Sequence, residues 1–188
     1  DEISGASDWP GLRLTNGSTL PAGLTVASEN PLYTLGDFNS VTKKPVSLMA
    51  DAVTFLSNEW RTKNYDTLST AVKTKRAASS TIVNASYLTG NVETTSSDYS
   101  GGFENLPRFL EDWTNKTMTW KGSAVNLWAS EQAIGTWNGD YYTPPGRAWS
   151  YDTDLNDPTK LPPETPCVRV FQMVGWQQQN VGYATSGE

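Results

Sequence analysis

Four oxygen-bearing side chains fall close together late in the chain: Asp152, Asp154, Asn156 and Asp157. Hard oxygen ligands at alternate positions are what a calcium loop uses, because alternate side chains of a turning segment converge on one ion. The turn glycine and distal bidentate glutamate of an EF-hand are missing, and Asp or Asn ahead of Pro158 is also ordinary chemistry for a capped turn. A turn is the favoured reading, calcium is the alternative, and no cofactor is required. The adjacent acids Glu111 and Asp112 invite comparison with a glycosidase pair. Side by side on a helix they would point in different directions, so they read as a solvated face. Trp137, Tyr141, Tyr142 and Trp149 crowd a short stretch with Asn138, Asp140 and Arg147 among them. Rings to stack on and polar groups to fix hydroxyls are what a sugar-binding platform needs. The same rings would serve as anchors of a protein contact, or pack down as a satellite core.

Other chemistry is excluded by composition. The chain has no histidine, which removes the commonest general base, the Ser-His and Cys-His dyads and most zinc sites. A single cysteine, Cys167, allows no internal disulfide and reads as a small buried hydrophobe. With 14 Lys and Arg against 20 Asp and Glu the net charge is -6, so nucleic acid is not an expected partner. No apolar run reaches the roughly 18 residues needed to span a bilayer. The chain opens Asp1-Glu2, without a charged or apolar leader, and so reads as a mature or excised portion of something longer. The expectation is a protein without catalytic residues.

The elements that must carry these residues are mainly strands. Leu24-Thr25-Val26 and Tyr33-Thr34-Leu35 alternate apolar and polar between turn residues, and 82–88 reads as a further strand. Short strands with Ser, Thr and Asn between them predict an irregular parallel β-solenoid or a stacked β-sheet module with one or two short α-helices. The segment 46–57 fits either element, with strand favoured over helix. Phe103, Leu106, Leu110 and Trp113 share one face of a helix over 104–113, with Pro107 in its first turn. Residues 116–120 and 123–128, flanking Lys121-Gly122, read as a β-hairpin. Trp113, Trp120 and Trp128 would then share a buried core. Texture changes near residue 98, from a Ser/Thr/Asn-rich half (1–98) to an aromatic and Pro-rich half (99–188), yet no low-complexity linker separates them and both read as one extracellular module.

Longer stretches carry a resemblance. Gly23-Leu-Thr-Val26, Asn30-Pro-Leu-Tyr-Thr-Leu-Gly-Asp-Phe-Asn39 and Pro45-Val-Ser-Leu-Met-Ala-Asp-Ala-Val-Thr-Phe-Leu-Ser-Asn58 open the series. Tyr99 to Trp113, Trp120 to Trp128 and Leu161-Pro-Pro-Glu-Thr-Pro166 continue it in order. Together they resemble a C-terminal module of bacterial surface proteins associated with type IV pili, of the minor-pilin or pilus-assembly kind. The resemblance implies an exported, cell-surface β module with structural or adhesive work and no catalytic residues. Its implied partners are other filament subunits, or a separate pilin-like chain supplying the apolar helix absent here. A carbohydrate-binding module using the 137–149 aromatics is the alternative.

Overall fold

The computed structural model describes residues 10–67, 76–96, 100–134, 142–166 and 175. Its strands are β1 (Leu12–Leu14), β2 (Leu24–Ala27), β3 (Leu32–Leu35), β4 (Val46–Ala50), β5 (Val53–Leu56), β6 (Thr81–Asn84), β7 (Ser86–Asn91), β8 (Pro107–Arg108), β9 (Thr117–Gly122), β10 (Ala124–Ala129) and β11 (Gly146–Tyr151). One short helix among the described residues, α1 (Asn58–Thr62), follows β5. Among the described residues every strand pairing is parallel. The first sheet runs β1-β3-β5-β8, the second β10-β7-β4-β2 and the third β11-β9-β6. Successive strands enter different sheets, so the chain winds as a three-faced parallel β-solenoid. The fold is mainly β, as the strand and turn pattern predicts.

Register explains why this sequence winds rather than folds back. Side chains alternate faces along each strand, so pairing in register stacks like on like. Val26, Leu48, Tyr87 and Ala124 form one inward row of the second sheet. Phe38, Val83, Trp120 and Trp149 form another on the third, with Phe38 joining through an isolated bridge. These rows meet in a core with Leu32, Val53, Phe55, Phe109 and Trp113. Pairs β5–β8, β7–β10 and β6–β9 join residues from either side of the change in texture at residue 98.

The segment 46–57 is two strands, β4 and β5, in different sheets, joined through Asp51 and Ala52. The helix expected over 104–113 is not formed. A 3-10 turn at Phe103–Asn105 precedes the two-residue strand β8, and Asp112 bridges to Ala77 and Thr143. Leu106 and Trp113 are buried and Leu110 is partly so, which shows that the helical spacing arose from a chain that turns inward repeatedly at a solenoid corner. Phe103, assigned to the buried face, is largely exposed.

The hairpin reading also fails. β9 and β10 lie in different sheets and meet at a corner, where Gly122 takes the place a turn would have. A Cβ at Gly122 would lie 2.0 Å from the carbonyl oxygen of Ala85 on the winding above, which only glycine permits. One winding further up, Asn39 and Asn84 exchange amide bonds to each other's carbonyls at 2.8 and 2.9 Å. Of the three tryptophans expected in the core, Trp113 and Trp120 are buried. Trp128 is 39% exposed because its strand places it on the outer face of the second sheet, opposite Gly90.

Candidate functional site

The acidic group at 152–157 is arranged by two 3-10 turns, Thr153–Asn156 and Pro158–Lys160. Asp152 caps the first by accepting the Asp154 N–H, and Asp157 caps the second by accepting the Thr159 N–H at 2.9 Å. Asn156 accepts the Tyr151 hydroxyl at 3.1 Å. Asp152 and Asp154 do converge, but on the ammonium of Lys43, at 2.5 and 2.6 Å. Lys160 approaches Asp154 from the other side at 3.2 Å. The bonds from Lys43 and Lys160 hold the Asp154 carboxyl at about 2. Burial disfavours charge on Lys43, yet its bonds to the two carboxylates outweigh that and lift its pKa. Among the described residues no cluster of three or more His, Cys, Asp or Glu is disposed to hold a metal. A lysine already supplies the cation, so chelator should leave the melting temperature within about 1 °C. A fall of several degrees, reversed by added calcium, would make 152–157 a metal loop. Lys43→Met should lower the melting temperature measurably, by exposing two carboxylates to each other.

These bonds have a further architectural role. Residues 152–163 run from the end of β11 back along the solenoid. Lys43 lies on an earlier winding, and Thr25 on β2 donates its hydroxyl to the Pro163 carbonyl at 2.5 Å. The segment is a strap across several windings.

Tyr142 and Trp149 are half-buried, and neither stands free on a loop. Trp149 lies on β11 as the last rung of the inward row of the third sheet, 5.7 Å from the Trp120 ring. The Arg147 guanidinium lies over it at 5.3 Å and Phe103 meets it edge-on. Tyr142 packs on Phe109 and donates its hydroxyl to Asn105 at 3.0 Å. Trp137, Tyr141 and Cys167 lie outside the described residues.

Glu111 and Asp112 are not a solvated face. Glu111 is 0% exposed and accepts the Ser57 N–H at 2.7 Å and the Ser57 hydroxyl at 2.6 Å. Ser57 is the N-cap of α1, so the carboxylate braces the start of that helix. Burial pushes Glu111 up to about 7, against the opposing pull of those two bonds and of Arg76. Asp112 accepts bonds from the Thr114 and Thr143 hydroxyls and ties two windings together.

The residues that gather around a cleft come from elsewhere. On the outer face of the first sheet, Arg13, Tyr33, Thr54 and Arg108 form one row across β1, β3, β5 and β8. A cleft of about 180 Å³ opens there, floored by Tyr33, Leu56 and Pro31. One wall is Trp60 with Asp66, the other is Gln132 with Ala133. Asp66 receives Arg13 at 2.8 and 2.9 Å and the Trp60 indole N–H at 2.8 Å. Burial works against its charge, but these bonds prevail and hold it below the usual carboxylate range. The opposite wall is pinned by Asp51, which accepts the backbone N–H groups of Glu131, Gln132 and Ala133 at 2.5, 3.2 and 2.8 Å. At the far end of that row lies Arg108, which burial brings down to about 10 against the pull of Asp51 and Tyr33. Sequence reasoning missed this group. The one signal was a step of roughly 20 residues between Arg13, Tyr33 and Thr54, the length of one winding. No family model, no curated protein and no solved structure matches this chain.

Proposed function

We propose that the chain is a non-enzymatic structural or adhesive module of a type IV pilus or pilin-like extracellular filament at a bacterial surface. It works by contact with other filament subunits, or with a pilin-like chain that brings an apolar helix. The observation that carries this reading is the outer face of the second sheet. Register sets Ala27, Met49, Leu88 and Val125 in one row across all four strands, so the outer face has an apolar stripe as well as the inner. Parallel sheets are normally covered on both faces. Trp128 stands beside a groove with Met49 and Ala27, and Leu127, at the bulge next to it, is 63% exposed. Tryptophan at the centre of an apolar patch is the usual anchor of a protein contact. The sequence resemblance to pilus-associated modules names the kind of partner. Low charge favours the same reading, since few ammonium or carboxylate groups need desolvation on contact.

Leu127→Ser with Trp128→Ser should lower the association constant by at least tenfold in light scattering, while the melting temperature shifts by only a few degrees. The native chain should also cross-link to a filament subunit through this face. A chain that stays monomeric at high concentration and cross-links to no pilin-like protein would overturn the proposal.

A further inference from the structure

The apolar stripe on the outer face of the second sheet is the floor of a trough. Ala27, Met49, Leu88 and Val125 follow one another from β2 to β10, so the stripe crosses the strands and runs along the solenoid axis. Ala27 is exposed and the other three are partly so. The neighbouring outward row, Thr25, Ser47 and Ser86, lies under the strap. Thr25 bonds the Pro163 carbonyl there, and Ser47 is only 6% exposed although it faces outward. The opposite wall is Ser28 and Glu29, joined to the segment after β10 where Gln132 donates its amide to the Glu29 carbonyl at 3.1 Å. Trp128 lies against Gly90 and lines the same groove. With the strap standing on one side and this segment on the other, a flat partner such as a second sheet does not reach the floor.

We infer that the trough takes one amphipathic α-helix of a partner chain, laid along the solenoid axis, with its apolar stripe buried and basic side chains beside it. This rests on the reading of the face as a contact surface and adds the shape and charge of what it contacts. Spacing selects the helix. Paired strands lie about 4.8 Å apart, and a helix returns a side chain to one line every turn, about 5.4 Å. Over the four strands of the floor, about 14 Å, three helical turns stay within about 2 Å of the rungs. An extended strand repeats on one face every 6.8 Å or so and is out of step by the second rung. It would also need open backbone groups, which the face of a sheet does not offer. Charge selects the flank. Glu29 lines the groove, and Glu131 and Glu164 are exposed on the segments that wall it. None of the three is in an ion pair among the described residues. The nearby cations are already engaged, Lys160 by Asp154 and the buried Arg108 by the field of Asp51. Lysine or arginine on the incoming helix would meet these free carboxylates.

The experiment is fluorescence anisotropy on the whole chain with labelled peptides of about 15 residues, stapled because free helices of that length are marginal in water. The first carries a leucine stripe with lysine beside it, and the second has glutamate in place of lysine. The third has the composition of the first with the stripe broken, and an unstapled fourth alternates leucine and lysine as a strand. The first should bind saturably and the other three at least tenfold more weakly. Ala27→Arg, at the exposed end of the stripe, should leave the melting temperature unchanged and weaken the first peptide at least tenfold. Glu29→Gln with Glu131→Gln should narrow the gap between the lysine and glutamate helices to about threefold. The inference is overturned if the lysine helix does not bind, if the strand or the glutamate helix binds as tightly, or if Ala27→Arg binds like the parent. Such a result beside intact self-association through Leu127 and Trp128 would leave the filament reading standing. Helix binding by a chain that stays monomeric and cross-links to no filament subunit would overturn that reading alone.

Discussion

Trp120→Ala will destabilise the protein by about 3–5 kcal/mol, the usual cost of emptying a large aromatic site in a core. Trp120 is only 5% exposed and is the third rung of the row Phe38, Val83, Trp120 and Trp149. Its ring packs 5.3 Å from Tyr87 and 5.7 Å from Trp149, and its indole N–H bonds the Ala85 carbonyl at 2.8 Å. Alanine removes these contacts together and strands a carbonyl at the corner where Gly122 approaches. With total stabilities of about 5–15 kcal/mol, that loss is a large fraction of the whole. Thermal denaturation should show a fall of roughly 6–20 °C for a chain of this size. The paired control is Trp128→Ala, on the outer face, which should cost under about 1 kcal/mol. A Trp120→Ala loss as small as the control's would refute the stacked-row description.

The second large effect concerns pH. Folded Glu111 titrates at about 7 because burial disfavours its charge, whereas the ordinary glutamate value is 4.5. Arg76 faces it and favours the charged form, while Glu59 opposes it. Between these two values the folded state keeps a proton that the unfolded state has released. Stability from this group is therefore fully present below pH 4.5 and is lost as pH rises to about 7, by roughly 3 kcal/mol in total. Asp66, Asp154 and Asp157 act in the opposite sense, since their depressed values withdraw stability as pH falls below the usual carboxylate range. Denaturant midpoints should therefore peak in mildly acid solution, near pH 5. Glu111→Gln removes the charge and keeps an acceptor for one of the two Ser57 donors, at the cost of reversing or losing the other bond. The variant should equal the parent at pH 5, within about 1 kcal/mol, and exceed it at pH 8 by up to roughly 3 kcal/mol. A parent whose stability rises from pH 5 to 8, with the variant tracking it, would contradict the assignment.

The strands were legible where period and punctuation agreed. Leu24-Thr25-Val26 and Tyr33-Thr34-Leu35 alternate cleanly between turn residues, and both lie in strands. Solenoid corners were not legible. A corner turns the chain inward every few residues, so Leu106, Leu110 and Trp113 mimic a helical face, and Lys121-Gly122 mimics a hairpin turn. The difference lies in the neighbouring winding, which local spacing does not encode: Gly122 is needed for the Ala85 carbonyl, not for a reversal of direction. Glu111 was misread for the same reason, because its partner Ser57 is 54 residues away. The cleft was invisible for the most general reason. Its members become neighbours only once Arg13, Tyr33 and Thr54 are stacked by register, and once the segments after β5 and β10 are laid over that face.

The strap also bears on how the module would carry load. In a parallel solenoid the bonds joining one winding to the next lie along the axis, so tension applied end to end would peel windings away one after another. Residues 152–163 run beside that stack and are fastened to it at Lys43 and at Thr25. Stretching the stack therefore strains the tether too, and the early windings can separate only when its ion pairs and its Thr25 bond give way in the same event. Under force the module should rupture in one abrupt step rather than a sawtooth. Because the strongest fastening is ionic, the rupture force should fall as salt is added.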